Sequence, residues 1–144
     1  MRKAAIIGVG QTPVGEHWDA SIRMIAADAV HAALEDAGLK SVDALYVGNA
    51  YGASFSSQSQ LGALIADYSG LGGVETFTVE AGDASGGAAL RTGYLAVASG
   101  AVETALVLGV EKSTDTVSTA HTRARNVSLD ADYEAVQGAT LTAL

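Results

Sequence analysis

The sequence predicts a layered α/β fold with a mostly parallel sheet and a buried central helix. Three observations carry this. Short apolar runs recur with helical patterns between them. Two of those runs, KAAIIGVG and TALVLGV, are continuous rather than alternating, the pattern of strands covered on both faces. One helical stretch, ASGGAALRTGYLAVAS, is small or apolar around nearly its whole circumference, which calls for cover on all sides. Strand, helix, strand in repetition implies right-handed crossovers between parallel neighbours.

The elements follow in order. Ala4 to Val9 is expected to be the first strand. From Asp19 the residues Ile22, Ile25, Ala26, Ala29, Ala33 and Ala37 keep three- and four-residue spacing, while Asp28, His31 and Glu35 share the other side, so this helix covers one sheet face. Asp19 or Ser21 suits its N-cap and Gly38 its left-handed C-cap. Ala44 to Gly48 is the second strand, and a shorter helix runs from about Ser59 to Tyr68, ending at the glycines of SGLGG. Glu75 to Glu80 is the third strand and Ala84 to Ser99 the apolar helix. Gly86, Gly87 and Gly93 each cost up to ~1 kcal/mol of helix propensity relative to alanine. Close backbone approach would offset that, so the helix is expected between layers, with a second copy of itself as one candidate cover. Thr104 to Val110 is the fourth strand. The Ser- and Thr-rich stretch beyond it reads as loop to about Ser128, and helical spacing resumes from Asp132 through Ala135, Val136 and Ala139. Residues 1–112 are thus expected to form one domain and 113–144 the start of another, cut inside an element.

Composition narrows the function. A length of 144 residues favours a single core, and 49% hydrophobic with 17% charged residues is too apolar for disorder. No run approaches the ~18 apolar residues of a membrane span, and the amino terminus reads as a strand rather than a leader, so a cytoplasmic protein is expected. A formal net charge of -8 with 8 Lys and Arg argues against nucleic acid as a partner. With no cysteine, disulfides, thiolate metal sites and cysteine nucleophiles are excluded. His17, His31 and His121 are scattered without a helical pair or a companion carboxylate, so no metal site is expected. His31 reads as a surface histidine.

Each sequence motif also has a plain structural reading. In IIGVGQTPVGE, Gly8 and Gly10 begin a dinucleotide fingerprint, but Pro13 breaks it and the helix starts too late. Gly10 and Gly15 are spaced as in a phosphate loop, yet Glu16 and His17 stand where Lys and Ser or Thr are needed. The segment His121-Thr-Arg-Ala-Arg125 is a local basic cluster; it reads as a solvated loop, with an anion-binding role as the alternative. Asp83 in VEAGDASGGAAL follows a strand and opens a helix. It could be an ordinary N-cap, worth ~0.5 to 2 kcal/mol, or stand where unpaired N–H groups serve a reacting group.

The stretch VEAGDASGGAALRTGYLAVASGAVETALVLGVEKSTD resembles the nucleophile region of thiolases, notably the archaeal and sterol-carrier-protein-associated branch. There a strand leads into a Cys-Ala-Ser-Gly turn, a buried helix and a strand ending in Gly-x-Glu. IIGVGQTPVGEHWDASIRMIAADAVHAALEDAGL and ALYVGNAYGASFSSQSQLGALIADYSGL are similar to the family's opening two strand–helix units. The resemblance implies the amino-terminal part of a thiolase-like half of three αβα layers, followed by the beginning of a loop domain. It implies an acyl-CoA substrate with no covalently bound cofactor, and a homodimer or larger assembly, with ETFTVEA and the apolar helix at the interface. It also puts Asp83 where the family has its nucleophilic cysteine, while the family's later histidine and second-cysteine motifs have no counterpart here. Ordinary thiolysis through Asp83 is therefore not expected of this chain. The expected roles are a base or a holder of water in a thiolase-like aldolase, or a structural partner that keeps only the cap.

Overall fold

The structure is a computed structural model and describes residues 2–142. Three strands, β1 (Ala44–Gly48), β2 (Glu75–Val79) and β3 (Ala105–Gly109), pair in parallel in the order β2-β1-β3. Leu45 lies opposite Thr76 and Leu106, and Tyr46 opposite Phe77 and Val107. Because strand side chains alternate between faces, this register sorts the sheet into two surfaces. Leu45, Val47, Leu106 and Leu108 share one, and form a core with Ile22, Val30 and Leu34 of α1 (Ile22–Ala37) and Leu61 and Ile65 of α3 (Leu61–Tyr68). Tyr46 and Val107 share the other, crossed by α4 (Ser85–Ser99): a Cβ on Gly93 would lie 2.5 Å from Val107 Cγ2 and 3.7 Å from the Tyr46 ring. The glycine is what lets α4 lie this close. The expected three layers are thus present.

Central strand β1 is buried along its whole length. Tyr46 is the polar exception in it, and its hydroxyl donates to Glu75 Oε1 at 2.6 Å. Burial, reinforced by that carboxylate, pushes the phenol up to about 12. At the other end of the sheet Asp43 ties β1 to β3, accepting from the backbone N–H groups of Thr104 (2.9 Å) and Glu103 (3.0 Å) and from the Thr104 hydroxyl. These bonds, led by the Thr104 amide, hold the Asp43 carboxyl below its ordinary value.

Helix α1 ends as expected, with Gly38 at φ 67° donating its N–H to Glu35 and Leu34 carbonyls. Ser21 occupies its N-cap position without a side-chain cap bond. The second helix starts at Leu61, not Ser59, and is preceded by a single turn, α2 (Gly52–Phe55). Ser57 and Gln60, both at positive φ, separate the two.

Several expectations are corrected. Residues 4–9 form no strand; Ile6, Ile7 and Val9 are 79%, 60% and 70% exposed. The run is tethered instead by Arg2 N–H to the Ala98 carbonyl of α4 and by Val9 N–H to Asp36 Oδ2. Its glycines rest on α1, where a Cβ on Gly8 would come within 2.6 Å of Ala37 Cβ. Helix α4 is buried on its sheet side through Ala89, Gly93 and Ala98, but its outer side, with Leu90, Arg91 and Tyr94, is open. Gly86 and Gly87 have open space where their own Cβ atoms would stand, so the close approach there comes from Gly48, whose Cβ would lie 2.9 Å from Gly86 Cα. The stretch read as loop contains α5 (Ser118–Arg125), and the helix expected from Asp132 is a 3-10 turn over Ala135–Gln137.

Candidate functional site

Parallel strands deliver their carboxyl ends to one edge of the sheet, where open α/β sheets bind ligands. Here that edge gathers Asn49 and Tyr51 after β1, Asp83 after β2, and Glu111 after β3. Two residues fix the turn after β1. Glu111 Oε2 accepts from the N–H groups of Tyr51 (2.8 Å) and Ala50 (3.2 Å), and its Oε1 accepts from Asn49 Nδ2 at 3.2 Å. Buried Asn49 donates also to the Val110 carbonyl at 2.8 Å, and its Oδ1 accepts from Gly52 N–H at 2.8 Å. The turn is therefore held by charge-assisted bonds at adjacent residues.

So oriented, Tyr51 is 5% exposed and stacks edge-on to Phe55, ring centroids 5.7 Å apart. Its hydroxyl reaches across to the end of β2, donating to Asp83 Oδ1 at 3.2 Å and accepting from Ser128 Oγ at 3.1 Å. Arg125, in the last turn of α5, places Nη2 3.6 Å from Asp83 Oδ2. With the Asp83 side chain 70% exposed, that ion pair contributes ~0 to 1 kcal/mol at most. It sets orientation more than stability. His121, on the same helix, lies against Phe55 with ring centroids 5.1 Å apart, and Ala124 is buried.

The Asp83 turn itself is built locally. Gly82 is left-handed at φ 55°, Ser85 Oγ accepts from Ala81 N–H at 2.9 Å and donates to the Gly82 carbonyl at 2.6 Å, and Ala84 N–H closes on Ala81. Ala84 is the N-cap of α4 and makes no side-chain cap bond. The cap reading of Asp83 is thereby corrected: its carboxylate turns away from the helix, to Tyr51 and Arg125. Chemically, one oxygen is polarised by a phenol and the other faces a guanidinium, and the group is open to a ligand. A carboxylate held in this way can accept hydrogen bonds from a water or from a hydroxyl group of a ligand.

Of the residues singled out in the sequence, Asp83 and the His121–Arg125 cluster come together here. The cluster lies on a helix rather than a solvated loop, and the anion that meets Arg125 is Asp83. His17 and His31 stand elsewhere, bonded to the Pro13 and Ser69 carbonyls. Among the described residues no group of three or more His, Cys, Asp or Glu could hold a metal, and no helix is long and apolar enough to cross a membrane. Sequence reading missed Tyr51, Asn49 and Ser128, and gave no role to Glu111, which closes the Gly-x-Glu segment of the resemblance. The signal available for Tyr51, Asn49 and Glu111 was their place just past a strand end.

The family model described as the thiolase N-terminal domain matches residues 4–143. The acetyl-CoA acetyltransferase of Methanothermobacter thermautotrophicus is 45% identical over 146 aligned positions, which take in all of this chain and 38% of that protein. The acetyl-CoA acetyltransferase of Methanocaldococcus jannaschii is 44% identical, over all of this chain and 37% of its own length. The chain thus spans under two-fifths of these relatives. Among solved structures, 3-oxoacyl-[acyl-carrier-protein] synthase III from Aquifex aeolicus superposes with a TM-score of 0.64 at 22% identity, covering 77% of this chain and 36% of that one. The Pseudomonas aeruginosa enzyme of the same description gives 0.60 at 26%, covering 74% and 33%. These superpositions bear on the fold.

Proposed function

The chain belongs to the thiolase family through its amino-terminal domain, and from that premise we propose that it is an acyl-CoA-handling part of a thiolase-type protein with Asp83 at its reaction centre. One observation carries this reading. Asp83 is read as the nucleophile position from the resemblance of its turn to the family's Cys-Ala-Ser-Gly segment, and what supports that reading is a carboxylate that stands open at the carboxyl ends of the strands, held by Tyr51 and Arg125. The substrate is a coenzyme A thioester, with acetyl-CoA suggested by the activity named for the archaeal relatives. No covalently bound cofactor is involved.

Chemistry separates this site from an ordinary thiolase. A thiolate exchanges one thioester for another at nearly equal energy, whereas carboxylate attack would form a mixed anhydride more reactive than its precursor. Asp83 therefore acts as a base or holds a water or hydroxyl group, and this chain alone does not carry out thiolysis. Tyr51 orients the carboxylate, and the Asp83 side chain stays 70% exposed, which leaves it within reach of the hydroxyl group of a substrate in an aldolase-type reaction within this reading. On a 3-hydroxyacyl thioester Asp83 would take the hydroxyl proton, the C2–C3 bond would break, its electron pair would pass to C2 as the thioester enolate, and C3 would leave as a carbonyl.

A structural role is the second reading, as a non-catalytic or split partner in a thiolase assembly. The open outer side of α4 and the exposed residues of edge strand β2 support a second copy, in a dimer or tetramer, or a carboxyl-terminal thiolase half as cover. Calorimetry decides between the readings: acetyl-CoA is titrated into the chain alone and into the chain mixed with the remaining portion of the Methanothermobacter relative. Saturable heat in either titration is expected. Its absence from both removes the acyl-CoA reading and leaves the structural one.

A further inference from the structure

We infer that Glu111 is a positioning residue for the Asp83 site: by clamping the turn after β1 to the end of β3, it fixes where the Tyr51 hydroxyl meets the Asp83 carboxylate. Only the catalytic consequence of this inference rests on the function proposed for Asp83. The geometry stands apart from it.

Glu111 shares no bond with Asp83. Its carboxylate spans from the end of β3 to the turn after β1 and accepts N–H groups from Asn49, Ala50 and Tyr51. The last of these, at 2.8 Å, sits at the root of the side chain whose far end touches Asp83. A tyrosine has two side-chain torsions and a rigid ring, and this one is packed on Phe55. Its hydroxyl position therefore follows its backbone. The Tyr51–Asp83 bond is already long at 3.2 Å, and a displacement of ~0.5 Å would take it outside hydrogen-bonding range.

Two oxygens are needed, since one serves the two backbone amides and the other the Asn49 side chain. A glutamine offers one acceptor and turns an N–H₂ toward groups that also donate. Asn49 cannot substitute, because its own oxygen is committed to Gly52 N–H. The clamp thus links all three strand ends in series: β3 through Glu111 to the Asn49–Tyr51 turn of β1, and from Tyr51 to Asp83 beyond β2.

The test uses the full chain with ¹³C-labelled tyrosine. Five tyrosines give five ring Cζ resonances, and Tyr51→Phe identifies its own by loss. That resonance reports hydrogen bonding at the phenol. Asp83→Ala sets the shift for a Tyr51 released from the carboxylate. Glu111→Gln is expected to move the Tyr51 resonance most of the way to that value while the other four stay in place, and Glu111→Asp to move it less. An unmoved Tyr51 resonance in Glu111→Gln overturns the inference. So does a collapse of all five resonances in both Glu111 variants, which would mark Glu111 as a residue of general stability. No acyl-CoA enters the measurement, so its failure is distinct from a failure of the calorimetric test.

Discussion

Two apolar runs of nearly interchangeable composition meet opposite fates. Ala44–Gly48, ALYVG, is buried at every position, while AIIGV at residues 5–9 leaves both isoleucines and the valine exposed. The difference lies in neighbours. Strand β1 has a hydrogen-bonded partner on each edge and a helical layer on each face. Residues 4–9 have no ladder, and β3 has no partner on its far edge among the described residues. An apolar run states what a segment can bury, but an available edge and two covering faces decide whether it does.

The largest expected effects test that contrast. Leu45 is fully buried in the shared core, so Leu45→Ala is expected to cost ~3 to 5 kcal/mol in urea unfolding. Ile6→Ala in the same assay should change stability by less than ~0.5 kcal/mol. Equal costs would show that residues 4–9 are packed in solution.

Glycines sharpen the comparison at the next level. A Cβ on Gly48 would lie 2.7 Å from the Ser85 carbonyl and 2.9 Å from Gly86 Cα, both backbone, so Gly48→Ala is expected to cost ~1 to 3 kcal/mol. It would also push the start of α4, and Asp83 with it, off the end of β1. Gly8→Ala meets α1 just as closely, yet its segment is held by few bonds. It should detach locally, seen as faster proteolysis near residue 8 with an unchanged urea midpoint. A matching loss of global stability would contradict the contrast. On the open side of α4, Gly86→Ala should be neutral or gain up to ~1 kcal/mol.

The smallest effect concerns the entry end of the sheet. The Asp43 carboxyl is held below its ordinary value by the bonds from Thr104 and Glu103. A group whose folded value is depressed stabilises the fold above its unfolded value, and that contribution is lost as pH falls through the folded one. Asp43→Asn should therefore lower the melting temperature modestly at pH 7, and the gap between variant and parent should shrink on acidification below the ordinary carboxylate range. A gap that widens in acid would reverse the assignment.

Much of this architecture could be read from residues alone. The strands β1, β2 and β3, helix α1 with Gly38 at its end, and the position of α4 all follow from period and capping, which are local properties. What escaped was relational. Nothing within IIGVG distinguishes a paired strand from an unpaired one. Turn α2 is four residues long, too short for a helical period to register. In STAHTRAR the polar character masked helix α5, whose place comes from burial of Ala124 and contact of His121 with Phe55. Asp83 was found by its position at a strand–helix junction. Its partners Tyr51, 32 residues earlier, and Ser128, 77 residues after Tyr51, are neighbours only once the strand ends are side by side.

Residue 83 is proposed to occupy the reacting position of a thiolase-type site. Asp83→Cys introduces a single thiol into a chain that otherwise has none, so an acyl thioester has one place to form. The variant is mixed with the remaining portion of the Methanothermobacter relative and acetyl-CoA, and followed by intact mass with and without hydroxylamine. One hydroxylamine-labile acetyl adduct is expected on this chain, absent from the parent protein. A variant that stays unacylated while the mixture binds acetyl-CoA would contradict that placement of residue 83.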